Sequence, residues 1–322
     1  MPITLFANGS VHSSSNLPDF SESHSNPSLE SFRKSLMADL PATIEQQRFQ
    51  KSYRRDAFEE IIPVDSNPIK MVNNPPSNIH HYCAKTIFYP FNAEGVRDHG
   101  WGCAWRAIQT CLASSGISCS FEQLFHLFGK EDVLKFLYSN KYDGQILVND
   151  KPFAPYDLLS GWAEPFIGQM AFHFFGMNAV LDSVNGVPDG CNAPKEVFHE
   201  QPLSFELFVR RLYDHFHCAN PLPVMIDNGS YALCIIGIGI EGESTSLWVA
   251  DPHIKPGAGN ANDIDGICGV FTFSFNQAGQ QVECSLDKIN CDQTKYVSDK
   301  IRRRYSFDHM KWMALFPKGE NQ

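Results

Sequence analysis

The sequence has 322 residues and contains no Cys-x-x-Cys pair, although it holds ten cysteines. A zinc ribbon is thereby argued against, and the irregular spacing of the thiols in a chain this long reads as reduced intracellular cysteine rather than a disulfide framework. Long apolar runs are missing too. The longest, near Ala232 to Ile240, falls far short of the roughly 20 residues a membrane helix requires, and the N-terminal MPITLFANGS has no basic stretch before its apolar residues. Neither a signal peptide nor a spanning helix is expected. A Walker loop and G-x-S-x-G are both absent, which weakens phosphoryl-transfer and serine-hydrolase readings. Positive charge is in deficit: 26 Lys and Arg stand against 36 Asp and Glu, a net charge of −10. That balance argues against bulk affinity for nucleic acid or anionic lipid and permits a neutral or basic protein partner. The expectation is a cytoplasmic, monomeric protein without cofactor.

An apolar share of 43% is enough for a sizeable core. Residues 1 to about 27 are rich in Ser, Asn and Pro and predict a disordered tail. Ser28 is placed to cap a helix whose apolar positions Leu29, Phe32, Leu36 and Leu40 recur at helical spacing until Pro41. A second helix is expected from Ile44 to Ile62. The stretch SNPIKMVNNPPSN reads as a linker, so residues 1–77 form an extension and the folded domain covers 78–322. Within that domain, Ala104, Ile108, Cys111 and Leu112 share one face of a helix starting at Cys103. Further helices are predicted at Phe121 to Leu127, Lys130 to Ser139, Pro165 to Phe175 and Ser204 to His217. Short β-prone runs follow at Pro223 to Ile226, Tyr231 to Ile240, Ser246 to Ala250, Val270 to Phe275 and Met313 to Phe316. Helices first and strands second point to an α+β domain with helices packed on a mainly antiparallel sheet. There is no internal repeat.

One stretch, DHGWGCAWRAIQT, sets a cysteine between small residues at the start of the first domain helix. The partial positive charge of a helix N-terminus stabilises a thiolate, the nucleophilic form of the group, so Cys103 is a candidate nucleophile. Gly100 and Gly102 leave room for an incoming substrate backbone. Taken alone, Cys103 is equally readable as one more small buried hydrophobe. A cysteine hydrolase also needs a base and a group to orient it. Asp251-Pro-His253 supplies both, because side chains at i and i+2 of an extended strand share a face and a carboxylate can fix the imidazole tautomer. Pro252 suits a strand end opening onto a site. The remaining histidines are weaker candidates: His80 and His81 precede the first strand, His99 is too near Cys103 in sequence, and His173 reads as a core residue. His215 and His217, two apart on a helix, face different ways and make a poor metal pair. No metal site is expected.

GWGCAWRAIQT and the later DPH resemble the cysteine proteases specific for ubiquitin-fold modifier 1, whose nucleophile motif G-W-G-C-A-Y-R-S-L-Q-T agrees at eight of eleven positions. Pro223-Val-Met-Ile226 resembles that family's P-V-M-I strand, and Gly161 to Gly168 is similar to its W-I-G helix start. The resemblance covers about Asn78 to Lys318. It implies a papain-like fold with Cys103 as nucleophile, His253 as general base and acid, and Asp251 as the orienting group. The family's oxyanion-donating tyrosine lies twelve residues before the cysteine, where this chain has Phe91, which cannot donate. Tyr89 and the backbone N–H of Cys103 are the donors left for that role. A second departure is Asp227-Asn-Gly229, where the family commonly has a glycine-rich turn.

The resemblance further implies an enzyme that threads the glycine-ended tail of a ubiquitin-like modifier past the glycines beside Cys103, with Trp101 flanking that channel, maturing the precursor and removing the modifier from conjugated lysines. Such modifiers and their conjugates are the implied partners. The loop KPGAGNANDIDGICG after His253 is placed to fold over that tail. Relatives of the fold that cleave ubiquitin or the autophagy modifier are the nearest alternative, and Phe58-Glu-Glu-Ile61 resembles an autophagy-modifier binding motif. A third reading, kept open by Phe91, is a catalytically weak module that only binds a modifier.

Overall fold

The computed structural model describes residues 27–38, 70–72, 75–91, 93–96, 98, 100–129, 131–142, 163–191, 193, 197–199, 201–253, 269–284 and 306–319. The expected N-terminal tail, the Ile44 to Ile62 helix, Phe58 to Ile61, His99 and the loop after His253 lie outside these residues.

The centre of the structure is one sheet in which every named strand pairing is antiparallel. Its strands are β4 (Ala179–Val184), β5 (Val224–Asp227), β6 (Ala232–Glu241), β7 (Ser244–Ala250), β8 (Val270–Phe275), β9 (Gln281–Cys284) and β10 (Trp312–Pro317). They run in the order β4-β10-β5-β6-β7-β8-β9, and β2 (His81–Tyr82) adds to β6. The last strand in sequence thus sits between β4 and β5. A separate two-strand ladder joins β1 (Lys70–Val72) to β3 (Thr86–Phe88).

The strands read as continuous apolar runs because both faces of the sheet are covered. Along β10, Met313 and Leu315 enter one core while Trp312, Ala314 and Phe316 enter another. The same alternation splits β5, where Met225 faces the first core and Val224 and Ile226 the second. The first core holds α2 (Cys103–Ser114), α3 (Phe121–Phe128), α4 (Glu131–Lys141) and α5 (Pro165–Phe174). The second is closed by α6 (Phe205–Phe216) and Phe307. Two helices carry side-chain caps. Ser120 and Gln123 form a reciprocal capping box on α3, and Ser204 accepts from Leu207 N–H at the start of α6.

Helix α2 departs from the one-sided pattern its apolar spacing predicts, since all of its residues are buried. Its polar residues are tolerated inside because each is paired. Thr110 Oγ1 accepts the Tyr89 N–H at 3.1 Å, and Gln109 Nε2 donates to Cys119 O at 3.0 Å. Arg106 is wholly buried as well.

The N-terminal boundary also differs from expectation. Strand β1 lies inside the stretch read as a linker, and β2 begins at His81, a residue expected to precede the first strand. Helix α1 (Pro27–Ala38) packs on the body: Leu29 is buried, Phe32 stacks on Phe136 with centroids 3.8 Å apart, and Arg33 Nε donates to Phe174 O at 2.6 Å. The extension is therefore joined to the folded domain through α1. No helix among the described residues is long and apolar enough to cross a membrane.

Candidate active site

Helix α2 starts at Cys103, with Gly102 as its N-cap and no side chain satisfying the first-turn amides. The turn that delivers the cysteine hangs on Asp98, whose carbonyl accepts the N–H of Trp101 at 3.2 Å and of Gly102 at 2.8 Å. Gly102 is glycine for a steric reason, because a Cβ there would lie 2.5 Å from the Asp98 side chain. Its lack of a side chain thus serves the turn rather than a substrate. Gly100 differs: its φ is +91°, and an added Cβ would meet no described atom within 4 Å. Trp101 is half-buried, its ring edge-on to Phe121 and Phe125 of α3 at 5.6 and 6.0 Å.

The Asp98 carboxylate is itself fixed. It accepts from Arg106 Nε at 2.6 Å, with both side chains fully buried. The rest of that guanidinium is spent on Gln109 Oε1 at 2.9 Å, Ala93 O at 2.8 Å and Glu94 Oε2 at 3.3 Å. It also lies over the Phe121 ring, 4.2 Å from the centroid. Glu94 in turn accepts the Phe121 N–H at 3.0 Å, tying the start of α3 to the same hub. The sequence signal for this network was a charged residue one turn into an otherwise uncharged helix.

Across from the helix start, β7 ends at Ala250 and Asp251-Pro-His253 follows as a turn rather than as a continuation of the strand. The same-face pairing arises another way. Asp251 is completely buried, and its Oδ1 accepts the His253 backbone N–H at 2.8 Å and Nδ1 at 2.6 Å. The other nitrogen is left for the Cys103 side chain, to which the imidazole is hydrogen-bonded. Burial alone would lower the imidazole's pKa, but the charge and hydrogen bond of Asp251 and the Cys103 sulfur overcome it and hold the pKa up at about 10. Cys103 is 5% exposed and the His253 side chain 14%.

Two aromatic rings wall the imidazole edge-on, Phe91 at 5.2 Å and Tyr231 at 5.3 Å between centroids. Phe91 is anchored by its N–H to Pro252 O at 3.3 Å. Tyr89, one of the two donors the sequence left for the oxyanion, sits with Ala93 and Ala113, and burial together with the Glu94 charge raises its pKa. Nothing in the spacing of the sequence pointed to Tyr231.

A further acid also escaped the sequence reading. Asp227, at the end of β5, is buried, and burial pushes its carboxyl up to about 7. The Gly229 N–H bonded to its Oδ1 and the charge on His253 oppose that rise, while Glu164 adds to it. Glu164 is buried in turn and accepts from the Cys191 thiol at 3.2 Å. The discounted histidines have structural partners. His173 contacts Asn140 Oδ1 at 3.0 Å and His215 contacts Leu222 O at 2.7 Å. Burial lowers both to about 4.

No family model matches the chain, and no curated protein matches it. Among solved structures, UfSP from C. elegans is similar with a TM-score of 0.41 and 16% identity, over 76% of this chain and 35% of that one. The chain therefore spans about a third of the length of the solved chain it matches.

Proposed function

We propose that this chain is a papain-like thiol protease that cleaves after the C-terminal glycine of a ubiquitin-like modifier. The observation that carries the reading is the contact of three groups at one helix start: a thiol hydrogen-bonded to an imidazole whose other nitrogen is held by a buried carboxylate. A structural cysteine has no need of such a partner. An imidazole kept protonated to about 10 sets a positive charge beside the sulfur at neutral pH and holds the proton that a departing amine needs.

In the reaction, the Cys103 sulfur uses an electron pair to bond the glycine carbonyl carbon, and the C=O π pair moves onto oxygen. The oxygen pair then re-forms the carbonyl, the C–N bond breaks, and the departing amine takes the His253 proton. The product is a thioester. His253, now neutral, removes a proton from water as the water attacks the thioester, and the thiolate leaves. Asp251 holds Nδ1 throughout, so Nε2 is the nitrogen that exchanges protons. The backbone N–H of Cys103, at the start of α2, meets the oxyanion.

The choice of ubiquitin-fold modifier 1 as substrate, in precursor and lysine-linked form, is supported by the GWGCAWRAIQT motif and the DPH turn. A catalytically weak modifier-binding module is the second reading, favoured by the Phe91 phenyl against His253, where the resembled family has a phenol. Both are tested by offering the full chain ubiquitin, ubiquitin-fold modifier 1 and the autophagy modifier, each ending in a cysteine-reactive electrophile. A covalent adduct with one modifier, lost in Cys103→Ala, is expected. Binding without an adduct would leave the module reading, and adducts with ubiquitin alone would reassign the substrate.

A further inference from the structure

We infer that Tyr231 supplies the side-chain hydroxyl of the oxyanion hole, a role that rests on the proteolytic reading above. An anion forming on a carbonyl beside Cys103 gains from a side-chain donor besides the helix amides, and the walls of the imidazole that meets the same sulfur are within a side chain's reach of it. Among the described residues two rings stand there, and one of them carries a hydroxyl. Phe91 closes one side with a phenyl, and Tyr231 closes another with a phenol.

The loop that carries Tyr231 is built to hold it. Strands β5 and β6 form a hairpin, with Asp227 opposite Ala232. The intervening loop is fixed by its own side chains. Asp227 Oδ1 accepts the Gly229 N–H at 2.6 Å, and Asn228 Oδ1 accepts the N–H of Ser230 at 3.1 Å and of Tyr231 at 2.9 Å. The Asn228 N–H donates back to Tyr231 O at 3.3 Å. Both backbone polar groups of Tyr231 are therefore tied to one asparagine. Gly229 makes the reversal possible with φ at +83°. The two departures from the resembled motifs then have a single explanation. A chain with Phe at 91 has lost a donor on one wall, and its Asp-Asn-Gly turn presents a donor on the other.

The role separates from mere packing through Tyr231→Phe, which keeps the ring and removes the hydroxyl. Two probes are applied to the full chain. The first is ubiquitin-fold modifier 1 with a terminal vinyl methyl ester, which alkylates the thiolate without making a scissile-carbonyl oxyanion. The second is the same modifier ending in a fluorogenic amide, which does make one. Tyr231→Phe is expected to label at the wild-type rate while kcat on the amide falls on the order of a hundredfold, with KM little changed. Amide turnover within twofold of wild type overturns the inference. An equal fall in labelling and turnover also overturns it, because the ring would then only orient His253. If wild type itself neither labels nor turns over, the proteolytic reading fails and takes this inference with it.

Discussion

Asp251 Oδ1 accepts two hydrogen bonds from His253, one from its backbone N–H and one from Nδ1. The residue that orients the ring also fixes the peptide carrying it, so pairing and turn are one structure.

Asp251→Asn tests that coupling through pH. Burial favours neutral His253, and the Asp251 charge is the first of the opposing causes that raise its pKa to about 10. Proton loss from the imidazolium should therefore set the alkaline limb of kcat/KM near 10 in the wild type. Removing the carboxylate charge should move that limb down by more than one unit and lower kcat on the order of a hundredfold or more. An alkaline limb that stays in place in the variant would show that Asp251 does not hold the proton.

Arg106 makes a separate prediction about the nucleophile's turn. Its guanidinium neutralises Asp98, and the Asp98 carbonyl gathers the amides of Trp101 and Gly102 just before Cys103. Arg106→Ala removes the charge that neutralises a buried carboxylate, at a cost of about 3–5 kcal/mol. The double change Arg106→Leu with Asp98→Asn removes both charges and should recover part of that loss in urea unfolding. Recovery of stability should not bring activity back, because the amide no longer has a fixed partner. Full recovery of kcat in the double variant would reduce the pair to a packing feature.

The sheet and most helices were legible because their signals are local. Apolar runs bounded by Gly, Asn and Asp marked β6 to β8 and β10, and i, i+3, i+4 spacing marked α2 to α6. Cys103, Asp251 and His253 were legible through a motif and a tripeptide, but the geometry behind the tripeptide was not, since a turn rather than a strand aligns Asp251 with His253. What escaped is set by contacts distant in sequence. Strand β4 has an Asp and a Ser inside it and forms beside β10, more than a hundred residues later. Tyr231 meets His253 only after the β5–β6 hairpin and β7 are in place. Burial of Arg106 depends on Glu94 and Asp98, which lie outside its helix.

Helix α1 should stabilise the whole domain. Phe32 stacks on Phe136 of α4 and Arg33 reaches the last carbonyl of α5, so the helix fastens two elements of the first core. Phe32→Ala is expected to lower stability by about 1–2 kcal/mol, in keeping with a half-buried ring. The measurement is urea unfolding of the full chain, and an unchanged midpoint would show that α1 rests on the domain without supporting it.

Asp227 gives a prediction in which the sign depends on pH. Its carboxyl titrates at about 7 in the folded protein, chiefly through burial, against about 4 in an unfolded chain. A raised value means that the folded state binds the proton more tightly. The contribution to stability is thus complete below about pH 4 and is lost as the pH rises through 7. Asp227→Asn keeps a carbonyl oxygen for the Gly229 N–H and abolishes the titration. The variant should match wild type near pH 4 and exceed it at pH 8 by a few kcal/mol. Glu164, His253 and Cys191 face the same carboxyl in both proteins, so the comparison is the difference between the two unfolding curves rather than either one. Curves that stay parallel from pH 4 to pH 8 would mean that Asp227 remains ionised in the folded protein, with Gly229 and His253 outweighing its burial.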